Sequence, residues 1–180
     1  MENLSNKSAK WILDPTHSEL TFKVKHLMIS NVKGEFKIFT AEIDNEDFTN
    51  GTVKVTIDAS SIFTNNTDRD NHLKSVDFFD VENHPAMTFE STNFTKVDDD
   101  EYKLKGLLTI KGVSKEVFLD VEFGGTNKDP WGNLKAGFSF NGKINRKDWG
   151  LNWNAALETG GVLVSDEVKI GGEVQFVKQA

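Results

Sequence analysis

The sequence predicts an all-β fold, an eight-stranded antiparallel up-and-down β-barrel with one short helix. Three observations predict it. Apolar and polar residues alternate with a period of two from end to end, the mark of half-buried strands. About eight such segments follow one another with mostly short connections, as in a meander. The chain also holds 14 Phe and 4 Trp against a single Tyr, so the inward faces of those strands are oily and carry few polar handles. A closed tube of eight antiparallel strands has room for side chains or for one small ligand, and closure removes exposed sheet edges. A two-sheet sandwich is the structural alternative, because periodicity alone does not separate the two.

The elements follow in order. Met1 to Lys10 is polar and reads as a flexible N-terminus; residues 11–180 read as one domain. Leu20, Phe22 and Val24 alternate with Thr21, Lys23 and Lys25. Phe36 and Ile38 alternate with Glu35 and Lys37, and the apolar phase then moves to Phe39, Ala41 and Ile43, a shift that a bulge would cause. Val53, Val55, Ile57 and Ala59 form the next apolar face. Asn65 to Asp80 breaks the pattern: Thr67 with Asp70 three residues on resembles a capping box, and Leu73 and Val76 fall on one face of a short helix.

Met87 and Phe89 lead a strand to about Val97, and Asp98 to Asp100 form a charged turn. Tyr102, Leu104, Gly106, Leu108 and Ile110 share a face, and Gly112 sits in the turn before Val117, Leu119, Val121 and Phe123. Gly124 to Gly132 reads as a loop. Ala136, Phe138, Phe140, Gly142 and Ile144 lie on one long strand, with Asn141-Gly142 inside it rather than at a hairpin. Gly150 to Ser165 is a second irregular segment, of a length typical of lids or binding loops, with Trp153 in it. Val168, Ile170, Gly172, Val174 and Phe176 close the chain.

Composition limits the function. A chain of 180 residues with 37% hydrophobic and 27% charged residues suits one globular domain. The net charge of −7 disfavours a nucleic-acid partner, and Lys23, Lys25, Lys33 and Lys37 read as the wet side of strands. The absence of cysteine excludes disulfides, thiolate catalysis and Cys-based metal sites. No apolar leader segment is visible at the N-terminus, so a cytoplasmic location is expected. No run of about 20 apolar residues is long enough to span a bilayer.

Few residues suggest chemistry. His17, His26, His72 and His84 stand nine or more residues apart, without metal-ligand spacing, so no metal or cofactor is expected. No nucleophile elbow, phosphate loop or zinc-protease motif occurs, and no carboxylate pair is marked out for acid–base work. Arg69, between Asp68 and Asp70, has two readings. It offers a fork of donors to a ligand head group, or the acids satisfy the helix N-terminus while Arg69 pairs with a neighbouring carboxylate. Trp131, Trp149 and Trp153 either plug the barrel base or flank its mouth. Gly106, Gly142 and Gly172, at the inward phase of strands, are expected to leave space beside large residues, which favours a cavity over a filled core.

Several motifs together resemble the YceI-like, polyisoprenoid-binding family. They are Trp11-Ile12-Leu13-Asp14-Pro15-Thr16-His17-Ser18, Phe22-Lys23-Val24-Lys25-His26 and Asp58-Ala59-Ser60-Ser61-Ile62 with Thr64. Arg69-Asp70, Leu73, Asp77-Phe78-Phe79-Asp80 and Pro85-Ala86-Met87-Thr88-Phe89-Glu90-Ser91-Thr92 continue the series. Leu107-Leu108-Thr109-Ile110-Lys111-Gly112-Val113 and Arg146-Lys147-Asp148-Trp149-Gly150 complete it. The resemblance implies a lipocalin-like barrel that takes a long-chain isoprenoid or similar fatty amphiphile into its lumen without catalysis, with a homodimer as one mode of assembly. It implies a lumen role for Phe22, Val24, Phe36, Ile57, Phe78, Phe89, Leu108 and Phe138. A head group is further expected near His26, Arg69 or His72. Two other functions compete: an enzyme acting on an isoprenoid or amide-containing amphiphile at the barrel mouth, and an interaction protein whose barrel is full.

Overall fold

The computed structural model describes residues 9–155 and 163–180. Eight long antiparallel strands close on themselves, three of them broken in mid-course. We number them β1 (Trp11–Leu13 and Thr21–His26), β2 (Ser30–Phe36 and Phe39–Ile43), β3 (Val53–Asp58 and Ile62–Phe63) and β4 (Ala86–Lys96). β5 (Glu101–Ile110), β6 (Val113–Lys128), β7 (Leu134–Asn145) and β8 (Val164–Lys178) complete the ring, and α1 is Thr67–Lys74. Each strand pairs with its sequence neighbours. β8 then pairs with both segments of β1, Lys178 opposite Trp11 and Gly171 opposite Thr21, which closes the tube. The expected barrel, rather than the sandwich, is therefore the fold. Of the expected flexible N-terminus, residues 1–8 lie outside the described residues, while the Lys10 N–H donates to the Ile43 carbonyl and joins the sheet.

The breaks have local causes. β1 stops at Asp14-Pro15, because proline has no N–H for the ladder and starts a short 3₁₀ turn instead, Pro15–His17. The Asp14 carboxylate caps that turn by accepting from Thr16 N at 3.0 Å. β2 breaks at Lys37 and Ile38, as the shifted apolar phase predicts. Ile38 does not continue the inward face of Phe36 but stands 60% exposed. Its N–H turns aside to Ser61 Oγ at 3.1 Å, in the 3₁₀ turn Ala59–Ser61 that breaks β3. In β4 a register shift between Ser91 and Asn93 moves the inward phase from Phe89 and Ser91 to Phe94.

Three expectations need correction. Gly124 to Gly132 is not a loop: β6 runs on to Lys128, and a bulge opposite Gly137 and Phe138 absorbs the extra glycine. The turn shrinks to the residues around Asp129, whose carboxylate accepts from Trp131 N and Asn133 N, both at 2.9 Å. The cap of α1 is Asn66, not Thr67; its side chain accepts from Arg69 N at 3.0 Å. Val76 lies beyond the helix and is 72% exposed, so only Leu73 turns inward.

The two ends of the tube differ. At the lower end, Phe48 stands on a 3₁₀ turn and meets Trp11, Phe123 and Phe138, the last at 4.9 Å between ring centres. Phe94 and Phe176 also pack on Phe138. Such tilted and edge-on aromatic pairs are worth about 0.5–1.5 kcal/mol beyond their buried area, and here they stop the tube. At the upper end, where His26 pairs with Val164 and Asn145 with Glu167, the segment carrying α1 crosses the opening.

Candidate functional site

The site begins with what the strands turn inward. Phe22 and Val24 of β1, Phe36 of β2, Ile57 of β3, and Leu108 and Ile110 of β5 form the wall of a cavity of about 540 Å³. Leu73 of α1, with Phe78, Phe79 and Trp153, covers it. Beneath lies a smaller lobe of about 130 Å³ whose lining, including Phe89, Leu104 and Phe138, is wholly apolar. Leu20, Ile57, Leu108 and Ile170 border both spaces, so the lobe continues the cavity toward the aromatic plug. The larger volume falls within the roughly 300–1,000 Å³ of small-molecule sites.

The glycines do not supply this space. A Cβ on Gly106 would stand 2.6 Å from the ring of Phe89, and one on Gly142 would stand 2.8 Å from Leu119 Cδ2. One on Gly172 would overlap the Glu19 carbonyl oxygen. Each glycine is already covered by its neighbour, and the expectation that they leave room is overturned. The space exists because α1 and the Trp153 segment bridge the upper opening without filling it.

Polar groups gather at that opening. Thr64, buried, is their hub: its N–H and Oγ donate to Asp70 Oδ1 at 2.9 and 2.5 Å. In turn its hydroxyl accepts from Arg69 Nε at 2.8 Å, and its carbonyl accepts from Arg69 Nη2 at 2.6 Å. Neither reading of Arg69 is met in full. The guanidinium pairs with a threonine rather than a carboxylate, and it borders the cavity as a head-group donor would. Asp70 faces Thr64 rather than the helix end. His72 shares a hydrogen bond of 2.8 Å with Asp77 and stands edge-on to Trp153, ring centres 4.7 Å apart.

Arg146 is a buried polar group beside the mouth to which the sequence alone assigned no role. It is almost fully buried and donates to four carbonyls: Leu151 at 2.6 Å, Trp153 at 2.8 Å, Ser165 at 2.9 Å and Val164 at 3.3 Å. Burial pulls its pKa below the ordinary guanidinium value, while Asp166 opposes the shift. It ties both ends of the irregular segment expected over Gly150 to Ser165, of which residues 156–162 lie outside the described residues. The only signal in the sequence was its place in the Arg146-to-Gly150 motif. Nearby, Trp149 is buried and donates from Nε1 to the Leu108 carbonyl at 2.8 Å. Trp131 is exposed at the lower end, and Trp153 alone of the three flanks the cavity.

The expected residues thus divide between the two spaces. Phe22, Val24, Phe36, Ile57, Phe78 and Leu108 line the upper cavity, together with His26, Arg69 and His72. Phe89 and Phe138 line the lower lobe. The arrangement offers a long apolar recess, closed below, with cationic and hydrogen-bonding groups at its open end.

Comparison with known proteins bears on this geometry. The profile of the YceI-like domain matches residues 11–176. A UPF0312 protein of Staphylococcus epidermidis is 45% identical over 170 residues, covering 93% of this chain and 96% of that one. The crystal structure of the Campylobacter jejuni YCEI protein superposes with a TM-score of 0.74 at 40% identity, covering 88% of this chain and 91% of that one. A polyisoprenoid binding domain from Saccharophagus degradans has the same fold, with a TM-score of 0.67 at 17% identity, covering 96% of this chain and 100% of that one.

Proposed function

The chain belongs to the YceI-like domain family, and from that premise we propose that it binds a long-chain isoprenoid or similar fatty amphiphile without catalysis, carrying or storing it in the barrel. The observation that carries this reading is the polarity of the recess, apolar from Phe22 to the aromatic plug and polar only at the opening. An amphiphile has the same two-part chemistry. Its tail would run down past Leu108 toward Phe89, and its head group would stay near His26, Arg69 and His72. The description of the Saccharophagus domain as polyisoprenoid-binding supports the same class of ligand.

The physics favours the tail over the head. Each buried methylene contributes about 0.8 kcal/mol. Arg69 and His72 already hydrogen-bond to Thr64 and Asp77, so a head group gains less there. The reading therefore expects strong dependence on chain length and weak discrimination among head groups. Mild purification followed by extraction under denaturing conditions and mass spectrometry tests it. A co-purifying amphiphile with a long hydrocarbon or isoprenoid tail supports the proposal. Protein that is empty, and that takes up no such lipid when offered it, contradicts it.

A further inference from the structure

The outer wall beside the cavity mouth carries a charge pattern that the lumen does not explain. Lys143 pairs with Lys169, Lys169 with Lys23, and Lys23 with Lys33. Directly paired residues share one side of a sheet. Their strand neighbours Phe22, Ile144 and Ile170 face the cavity, so all four lysines point outward. They form one continuous row across β7, β8, β1 and β2, spanning roughly 14 Å at the usual strand spacing. The row lines a shallow depression of about 690 Å³ on the outer surface. Glu35 and Glu167 stand near the row, but no carboxylate among the described residues lies within ion-pair distance of these four ammonium groups. Like charges placed directly opposite one another oppose folding, and this chain has a net charge of −7. The row works against stability and against the overall charge.

The same wall ends in an apolar tip. The hairpin between β1 and β2 turns through Leu27 and Met28, both left-handed with φ of 55° and 63°. Asn-Gly is the usual solution there, and bulky side chains are strained. Ile29 follows at 81% exposure, with Met28 at 49%. Lys25 leads into the tip, and Leu27 N donates to the Leu163 carbonyl at 2.9 Å. Leu163, Lys25 and His26 themselves line the cavity.

We propose that this wall and tip dock the barrel on an anionic bilayer, with Leu27 to Ile29 in the interface and the lysine row against lipid phosphates. A soluble polyanion would use the lysines but leave the apolar tip unexplained; a lipid surface uses both. The acidic remainder of the molecule turns away from such a surface and so fixes the orientation. Docking stands whatever the cavity holds. Its use, passage of a lipid between bilayer and recess, rests on the function proposed above.

Flotation with vesicles of phosphatidylcholine, with and without phosphatidylglycerol, tests the proposal. Alongside it, a fluorescent fatty-acid analogue is bound in solution to read the cavity. The wild-type protein is expected to float only with anionic vesicles, less so as salt is raised. Lys23→Glu/Lys169→Glu should lower partition on the order of tenfold or more, and Met28→Ser/Ile29→Ser should also lower it. Lys103→Glu, on the outer face of β5 across the ring, should not. All variants should retain wild-type uptake of the analogue, which shows them folded. No flotation of wild type, or equal flotation with neutral vesicles, overturns docking, as does a charge reversal that changes nothing. Capture by heparin with no vesicle binding also overturns it and assigns the row to a soluble polyanion. Vesicle binding with no uptake of the analogue by any variant supports docking and counts against the cavity reading instead.

Discussion

The ring of Phe22 lies over Gly34 on the neighbouring strand so closely that a Cβ there would overlap its Cζ and stand 2.8 and 2.9 Å from Cε1 and Cε2. The three nearest neighbours of that Cβ all belong to the Phe22 ring, so the glycine lets one aromatic lie across two strands and form the cavity wall. Gly34→Ala should therefore cost about 1–3 kcal/mol through displacement of the ring. Phe22→Leu/Gly34→Ala should recover part of that loss. A double-mutant cycle by urea unfolding checks the coupling, which should be large and favourable to the double variant.

Asp14 holds the broken β1 against β7. Its carboxyl lies well below the usual carboxylate range, first because Lys135 donates to it at 2.8 Å and then because Thr16 does. A depressed carboxylate adds stability that is complete above its unfolded pKa, roughly 3.9, and is lost as pH falls below that toward its folded value. At pH 7, Asp14→Asn should cost about 1–2 kcal/mol. Below about pH 4 the gap between wild type and variant should narrow. Denaturant unfolding at several pH values reads both.

Arg146 satisfies carbonyls on both sides of the segment beside the mouth. Arg146→Met keeps much of the apolar stem but leaves those carbonyls without their donor, at about 2–4 kcal/mol. Arg146→Lys should recover only part, because an ammonium cannot reproduce the planar fork. Limited proteolysis should cut both variants faster between Leu151 and Ser165 than elsewhere.

Phe48 sets the floor. Phe48→Ala should destabilise the barrel by about 2–4 kcal/mol and join new space to the lower lobe. If the tail descends toward the plug, the chain length that binds best should increase in this variant. Competition against the fluorescent analogue with acyl chains of graded length reads that shift.

Much of the architecture was legible because a strand with one buried face writes its alternation into the sequence. Phe138, Phe140 and Ile144 marked one long strand even with Asn141-Gly142 between them, and the shift after Ile38 marked a real break. What stayed illegible depends on partners distant in sequence. Nothing local to Gly106 says that Phe89 occupies its space, and nothing near Arg146 names the carbonyls of Val164 and Ser165. Gly124 and Gly125 looked like a loop because the bulge that accommodates them is defined by the facing strand. At the mouth, His26, Arg69 and His72 each suggested a polar role, whereas Thr64 stood only as part of a motif, since a buried threonine that joins Arg69 to Asp70 has no pattern of its own.

Calorimetric titration of delipidated protein with amphiphiles that share one head group and differ only in tail length tests the central claim most directly. Affinity should rise by about fourfold per added methylene and level off once the tail reaches the Phe48 plug. Leu108→Trp, which fills the junction of the two lobes, should move that plateau to shorter chains. Affinity that follows the head group and ignores tail length would contradict the account.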